Sequence, residues 1–159
     1  MKRSDIEIMA PVGSYESLAA AIQAGADAVY FGVGKLNMRS ASAANFSLDD
    51  LARIVATAHA AGVRTYLTVN TVVYEDELSD VHAVIDRAKE EGVDAVIATD
   101  MAAILYARRI GQDVHISTQR NISNSEAVKF YPQRADPAVL PRSHSPHHVS
   151  PLPPALLHH

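Results

Sequence analysis

The sequence contains no cysteine. Its 159 residues therefore cannot form disulfide bonds, supply a thiolate nucleophile, or hold cysteine-ligated zinc or an iron–sulfur cluster. The sequence pattern also shows neither a catalytic carboxylate pair nor a nucleophile elbow. We expect no metal site and no cofactor within this chain.

An excess of basic residues and a long apolar run are missing as well. Lys and Arg total 14 against 18 for Asp and Glu, a net charge of -4, so bulk electrostatics offer no reason to bind nucleic acid. No segment approaches the roughly 18 apolar residues of a membrane span, and residues 1–14 lack an apolar run of signal-peptide length. We expect a cytoplasmic protein with no membrane contact.

Glycine and proline are each absent from one part of the chain. All seven glycines lie at or before Gly111, whereas seven of the eight prolines lie at or after Pro132. Five of the eight histidines also follow Pro132. We predict a folded domain over residues 1–131 and a Pro/His-rich tail over residues 132–159 that is disordered or read from a shifted frame.

Before this boundary, short apolar runs alternate with segments of helical period. The runs are rich in Val, Ile, Tyr or Thr and are expected to form buried parallel strands. They comprise residues 6–10, 27–33, 63–69, 94–99 and 113–117. Between them, apolar residues recur at steps of three and four, as at Leu51, Ile54, Val55 and Ala58, which predicts one apolar face for each helix.

Capping residues mark the predicted helix ends. Three polar residues stand at N-cap positions: Ser14, Ser47 and Asp100. Ser123 and Glu126 have the spacing of a capping box and predict a further helix start, which Pro132 would stop. Four glycines are expected to end helices in the left-handed conformation: Gly25, Gly62, Gly92 and Gly111.

The order of strands and helices predicts an α/β protein with a parallel sheet covered by helices. Two architectures remain open at this point, an open doubly wound sheet and a β/α barrel. A doubly wound nucleotide-binding sheet usually has a glycine-rich turn after its first strand, whereas residues 10–14 read APVGS with one glycine. The nucleotide-binding fingerprint is absent, but periodicity does not decide between the two architectures.

Polar residues follow the carboxyl ends of all five predicted strands. Parallel strands end at one edge, where barrels and open parallel sheets both bind ligands. This polar collar consists of Ser14, Asn37, Arg39, Asn70, Thr71, Asp100, Ser117, Thr118, Gln119, Arg120 and Asn121. From it and from the last strand we take eight candidate substrate-binding residues: Asn37, Arg39, Asn70, Asp100, His115, Thr118, Gln119 and Asn121.

Several of these residues have a simpler explanation. Arg39 and Arg120 suit a carboxylate or phosphate, but a solvated arginine is the commoner case. His115 lies inside the last strand, where a neutral core imidazole with one hydrogen-bond partner is commoner than a general base. Ser14 and Asp100 have an alternative role as helix caps.

Taken in order, four segments resemble the N-terminal part of the collagenase-like peptidase family U32. They are APVGSYESLAAAIQAGADAVYFGVGKLNMRSASAANFS, AHAAGVRTYLTVNTVVYEDEL, GVDAVIATD and HISTQRNISNSEAVKFY, within residues 6–131. The resemblance implies a TIM-type (β/α)8 barrel and favours the collar as the ligand site. It also implies a peptidase or hydrolase label, with relatives that hydroxylate tRNA or ribosomal RNA bases or support ubiquinone hydroxylation.

The chain departs from that family in its length. A full barrel has eight βα units and about 250 residues, whereas this sequence offers five strands, four complete helices and the start of a fifth. In the family, the cysteine-bearing signature and the ligands of an iron–sulfur cluster lie in the later part, so the cluster is implied only for full-length relatives. The resemblance stops shortly after Tyr131.

Two functional hypotheses follow. In the first, the chain is an N-terminal fragment of a U32 peptidase-like protein whose collar orients an RNA or peptide substrate, and the fragment is inactive by itself. In the second, it is a non-enzymatic half-barrel that self-associates or binds a partner through open barrel edges.

Overall fold

The computed structural model describes residues 7–34 and 46–120. The helix start predicted at Ser123 and the tail predicted over residues 132–159 lie outside these described residues. Three candidate substrate-binding residues lie outside them too: Asn37, Arg39 and Asn121.

Five strands alternate with four helices along the described residues. The strands are β1 (Met9–Pro11), β2 (Ala28–Phe31), β3 (Arg64–Val69), β4 (Ala95–Ala98) and β5 (Val114–Ile116). The helices are α1 (Tyr15–Gln23), α2 (Leu51–Ala60), α3 (Leu78–Glu90) and α4 (Met101–Arg109). Short 3-10 turns lie at Leu48–Asp50, Glu75–Glu77 and Thr118–Arg120. None of the helices in this part of the chain has the length and apolar character needed to cross a bilayer.

All five strands are parallel, and their spatial order is their order in the chain, β1-β2-β3-β4-β5. A doubly wound sheet reverses its strand order at a switch point, and the described strands have no such reversal. Consecutive parallel strands with one helix after each are the arrangement of a β/α barrel. The structure therefore confirms the α/β class and resolves the open choice in favour of the barrel type, with five strands present.

The two faces of the sheet are covered differently. One face packs against all four helices, and its core includes Val29, Leu67, Val96 and Ile116 from the strands. Leu67 is fully buried there, so truncation to alanine would cost about 2–5 kcal/mol. The opposite face, which we call the inner face, carries a smaller cluster made only of strand residues, with Met9 and Tyr30 packed against it. The buried members of this cluster are Ala28, Tyr66, Ala95 and Ile97.

The capping residues predicted from sequence lie where helices begin and end. The Ser14 hydroxyl accepts a hydrogen bond from the Ser17 N–H at 3.2 Å, and the Ser17 hydroxyl accepts one from the Ser14 N–H at 3.0 Å, so α1 starts with a reciprocal capping box. The four helix-ending glycines, Gly25, Gly62, Gly92 and Gly111, have φ values of 77°, 72°, 78° and 75°. These values confirm the left-handed conformation expected of them.

The start of α2 is later than its N-cap signal predicts. Ser47 precedes the 3-10 turn Leu48–Asp50, and the α-helix begins only at Leu51. The Asp50 Oδ2 atom accepts hydrogen bonds from the Ser47 N–H at 2.8 Å and from its hydroxyl at 2.7 Å. These bonds close a tight turn before the regular helix can start.

The first strand also lies further along the chain than predicted. It spans Met9–Pro11, whereas the apolar run suggested residues 6–10. Pro11 ends this strand, which is at the edge of the described sheet. An edge strand tolerates the missing backbone N–H of proline.

Candidate functional site at the carboxyl edge of the sheet

The loops after β3, β4 and β5 bring four candidate residues to one edge of the sheet. Asn70 directly follows β3, Asp100 comes after β4, and Thr118 and Gln119 lie in the 3-10 turn after β5. These strands are parallel neighbours, so their carboxyl ends share this edge. The grouping follows from the fold, and the substrate-binding role of the four residues stays a prediction.

Two hydrogen bonds tie the loop after β5 to the loop after β4. The Thr99 hydroxyl donates to Gln119 Oε1 at 3.1 Å, and Arg120 Nε donates to the Thr99 carbonyl oxygen at 2.5 Å. The Gln119 side chain is exposed, and its amide nitrogen remains a donor on the solvent side. Arg120, considered above as an anion ligand, thus has one guanidinium nitrogen engaged within the protein.

Both carboxylate oxygens of Asp100 accept hydrogen bonds from backbone N–H groups. Oδ1 accepts a hydrogen bond from the Ala102 N–H at 2.8 Å and caps α4. Oδ2 accepts one from the Val73 N–H at 3.3 Å. The helix-cap alternative is therefore what this structure records, and the same carboxylate holds the loop between β3 and α3 against the start of α4.

His115 lies apart from the four candidate residues at the carboxyl edge. It is the middle residue of β5, and its ring packs edge-on against Tyr66, with 4.5 Å between ring centroids. The Tyr66 hydroxyl donates to Glu7 Oε1 at 2.6 Å, and Arg64 pairs with the same oxygen at 2.8 Å. Burial lowers the pKa of His115, and it outweighs the negative charges of Glu7 and Asp113, which raise that pKa. The packing fits the core-imidazole alternative, but the buried Nδ1 atom has no hydrogen-bond partner in the described part of the chain.

Sequence reasoning missed two exposed apolar side chains at the carboxyl edge. Val72 and Tyr74, in the loop after β3, are 64% and 67% exposed, whereas Val73 between them packs against the helix-covered core. The run Val72, Val73, Tyr74 is visible in the sequence. Its apolar character does not show which side chains face outwards, because the path of the loop decides that.

Acidic residues at the amino edge of the sheet have structural roles. Asp27 Oδ2 accepts a hydrogen bond from the Ile8 N–H at 2.7 Å, and Asp94 Oδ2 accepts one from the Thr65 N–H at 2.7 Å. The two aspartates occupy the same place in the repeated motifs GADAV and GVDAV. Each repeat thus ties the start of one strand to the preceding strand.

The neighbours of Asp94 do not form a catalytic triad, although their residue types invite the comparison. His59 Nε2 and the Thr65 hydroxyl both contact Asp94 Oδ2, each at 2.8 Å. In a triad the imidazole lies between the carboxylate and the hydroxyl. Thr65 is also fully buried, so no substrate can reach its hydroxyl.

The residues present do not fit the iron–sulfur cluster implied for full-length relatives. Protein ligands to such clusters are predominantly cysteine thiolates, and the sequence has none. Within residues 7–34 and 46–120, no group of three or more His, Asp or Glu side chains is placed to hold a metal ion.

Comparison with known proteins places this chain in a family. The model of Peptidase family U32 matches residues 13–152. This match runs past residue 132, where we predict the tail to begin, and the domain boundary stays a prediction. A collagenase of Porphyromonas gingivalis is 55% identical over 142 residues, which cover 89% of this chain and 34% of that protein.

A second relative carries a different description. A tRNA hydroxylation protein P of Helicobacter pylori is 30% identical over 131 residues, which cover 80% of this chain and 31% of that protein. The chain thus spans about a third of the length of these curated relatives.

The fold has a solved counterpart. The structure of the U32 peptidase Mk0906 superposes with a TM-score of 0.62 at 15% sequence identity, over 76% of this chain and 52% of that one. At this identity the likeness establishes the fold alone. From the family match and the consecutive parallel strands together, the chain belongs to peptidase family U32.

Proposed function

We propose that this chain forms the substrate-binding first half of a U32-type barrel protein and that it catalyses neither proteolysis nor RNA hydroxylation by itself. The observation that carries the proposal is the carboxyl edge, where the loops of adjacent parallel strands are fastened by the Thr99–Gln119 and Arg120–Thr99 hydrogen bonds. Barrel proteins bind their ligands at this end of the strands.

Three uncharged side chains at this edge can form hydrogen bonds with a ligand. Asn70 and Gln119 carry amide side chains, and Thr118 carries a hydroxyl, so each can both donate and accept. Peptide groups and nucleobase edges both present such donors and acceptors. The names of the two relatives, a collagenase and a tRNA hydroxylation protein, suggest peptide and RNA as the substrate classes to test.

This chain lacks the side-chain groups that usually catalyse peptide-bond cleavage or hydroxylation. The 159 residues contain no thiolate. No serine or threonine hydroxyl in the described residues is hydrogen-bonded to an imidazole, which is the usual means of activating such a nucleophile. His115, the imidazole nearest in sequence to the carboxyl edge, packs against Tyr66 on the inner face. We therefore expect binding without turnover.

The experiment is to assay binding and turnover on the purified 159-residue chain. It should bind a collagen-derived peptide or a tRNA fragment without cleaving or hydroxylating either. Gln119→Ala should weaken that binding about fivefold, as expected for one lost hydrogen bond, whereas Gln23→Ala at the exposed end of α1 should not. Turnover abolished by Gln119→Ala, or binding indifferent to it, would contradict the proposal.

The edges of the sheet favour a second candidate, a self-associating half-barrel. Among the described strands, β1 and β5 each pair on one side only, and the inner-face cluster contains no helix residue. Unpaired strand edges and an uncovered apolar face promote association. Light scattering at micromolar concentration should then show dimers or larger species. A clean monomer with a cooperative thermal transition would rule this candidate out.

A further inference from the structure

The loop between β3 and α3 holds the two most exposed large apolar side chains among the described residues. Val72 is 64% and Tyr74 67% exposed, compared with 54% for Leu105 on α4 and 46% for Ile8. Both follow Asn70 and Thr71 in the loop at the carboxyl edge. Isolated exposed apolar residues are normal, but a pair beside a candidate binding edge calls for a physical account.

This loop is fixed in place by its backbone. The Val73 side chain packs against the core, and its N–H donates to Asp100 Oδ2 at 3.3 Å. The Tyr74 N–H donates to Glu77 Oε2 at 3.0 Å, and the Tyr74 backbone is extended, with φ -91° and ψ 164°. These two hydrogen bonds and the packing of Val73 hold the backbone beside the exposed Val72 and Tyr74 side chains. A ligand that covers them does not need to order the loop, which reduces the entropic cost of binding.

Unpaired negative charge follows the apolar pair. Glu75 and Asp76 are exposed, and neither takes part in a salt bridge within the described residues. Glu77, which bonds the Tyr74 N–H, already sits at the start of α3. A helix N-terminus carries roughly half a positive charge, so one carboxylate offsets it and the other two remain available to a cationic partner.

We infer that residues 72–76 are a docking surface for an extended peptide that carries lysine or arginine among apolar residues. This inference rests on the proposed function and names its substrate class as peptide. Val72 and Tyr74 are two positions apart, about 7 Å along an extended chain, which matches alternate side chains of an extended ligand. Lysine or arginine on that ligand would pair with Glu75 and Asp76, and arginine would also stack on the Tyr74 ring.

The same charges disfavour RNA at this surface. If a base of an RNA strand stacked on Tyr74, the phosphates of that strand would lie near the Glu75 and Asp76 carboxylates. Phosphates and carboxylates are both negatively charged and repel each other. Electrostatic complementarity therefore selects between the two substrate classes that the relatives suggest.

The experiment measures fluorescence anisotropy with the full 159-residue chain and three labelled probes. These are a peptide alternating lysine with leucine, the same peptide with glutamine for lysine, and a single-stranded RNA. Tyr74→Ala should weaken binding of the lysine peptide about tenfold, as expected for an aromatic anchor. The double variant Glu75→Gln with Asp76→Asn should weaken binding of the lysine peptide about threefold at low salt and hardly at high salt. Binding of the glutamine peptide should be the same for the double variant and the wild-type protein.

Two matched controls lie away from the surface. Leu105→Ala removes an exposed apolar side chain from α4, and Glu90→Gln neutralises an exposed carboxylate at the opposite end of α3. Neither should alter binding of the lysine peptide. Unchanged circular dichroism spectra would confirm that all the variants remain folded.

The outcomes separate this inference from the proposed function. Lysine-peptide binding that Gln119→Ala weakens but Tyr74→Ala does not would overturn the docking surface and leave the carboxyl-edge site standing. RNA binding that Tyr74→Ala weakens and the charge-neutralising pair strengthens would overturn the choice of peptide. Peptide binding lost with Tyr74→Ala but indifferent to Gln119→Ala would support the docking surface and contradict the carboxyl-edge site.

Discussion

At the scale of the single residue, Asp94 connects three parts of the fold through one oxygen. Its Oδ2 atom accepts hydrogen bonds from the Thr65 N–H, the Thr65 hydroxyl and His59 Nε2, at 2.7, 2.8 and 2.8 Å. Burial alone raises the pKa of Asp94, but the bonds from His59 and Thr65 outweigh it, so the pKa lies below its usual value. The ionised carboxylate is thus the form that stabilises the sheet.

We predict that Asp94→Asn lowers the free energy of unfolding by about 1–3 kcal/mol at neutral pH, because hydrogen bonds to a charged acceptor are lost. Chemical denaturation of both proteins measures this difference. Asp113→Asn is the matched control, since Asp113 occupies the same place before β5 and its exposed side chain makes no hydrogen bond or salt bridge in the described residues. An equal loss in both variants would contradict the role assigned to Asp94.

The same carboxylate makes a pH-dependent contribution whose sign follows from its lowered pKa. The unfolded chain takes up the proton near the ordinary aspartate pKa of 3.8, and the folded chain takes it up only at lower pH. The stabilisation is therefore complete above the unfolded pKa and is lost as pH falls through the folded pKa. The difference between the wild-type protein and Asp94→Asn should shrink in acid, and a difference that grows there would refute this assignment.

His115 should give a pH dependence in a different range. Burial lowers the pKa of this imidazole below its ordinary 6.5, so the unfolded chain binds the proton first as the pH falls. The free energy of unfolding then decreases from above pH 6.5 down through the folded pKa. His115→Phe, which keeps a ring beside Tyr66, should lose this part of the slope between pH 7 and 5 in denaturation series. Identical slopes would show that His115 is not buried as described.

At the scale of the element, the glycine after each helix sets where the next strand begins. Gly62 has a φ of 72°, and a Cβ atom added there would meet nothing within 4 Å. Any cost of substitution thus comes from the backbone conformation. We predict that Gly62→Ala lowers the free energy of unfolding by roughly 1–2 kcal/mol.

Gly62→Asn provides the matched comparison, because asparagine adopts the left-handed region more readily than alanine does. The order of stability by thermal denaturation should be Gly, then Asn, then Ala. If alanine were as stable as glycine, φ would not be the constraint at this position.

Local signals predicted element ends well where one residue decides them. Ser14 and the four helix-ending glycines were identified because capping and positive φ are properties of single residues. The N-cap signal at Ser47 predicts too early a start for α2, because the sequence does not show that the Asp50 carboxylate accepts hydrogen bonds from Ser47. Asp100 shows both cases. Its role as the cap of α4 is a local property that the sequence predicts, whereas its hydrogen bond with the Val73 N–H depends on how the chain folds.

At the scale of the whole molecule, the parallel arrangement was predictable but the strand order was not. Alternating apolar runs and amphipathic helices occur in both barrels and doubly wound sheets, and strand order depends on pairing between distant segments. For the candidate carboxyl edge, the sequence predicts which residues are grouped there but does not predict their tertiary contacts. Asn70, Thr118 and Gln119 share it because parallel strands end together, whereas the packing of His115 on Tyr66 and the exposure of Tyr74 depend on tertiary contacts.

The measurement that tests the central claim most directly is amide chemical-shift mapping of the purified chain titrated with a peptide and, separately, with single-stranded RNA. Whichever ligand binds, the account predicts that shifted amides cluster at the carboxyl edge, in residues 70–76, 99–100 and 117–120. Shifts that cluster instead at the amino edge, around Gly62 and Gly92, would contradict it. So would shifts on the helix surface where His82 of α3 stacks on Tyr106 of α4.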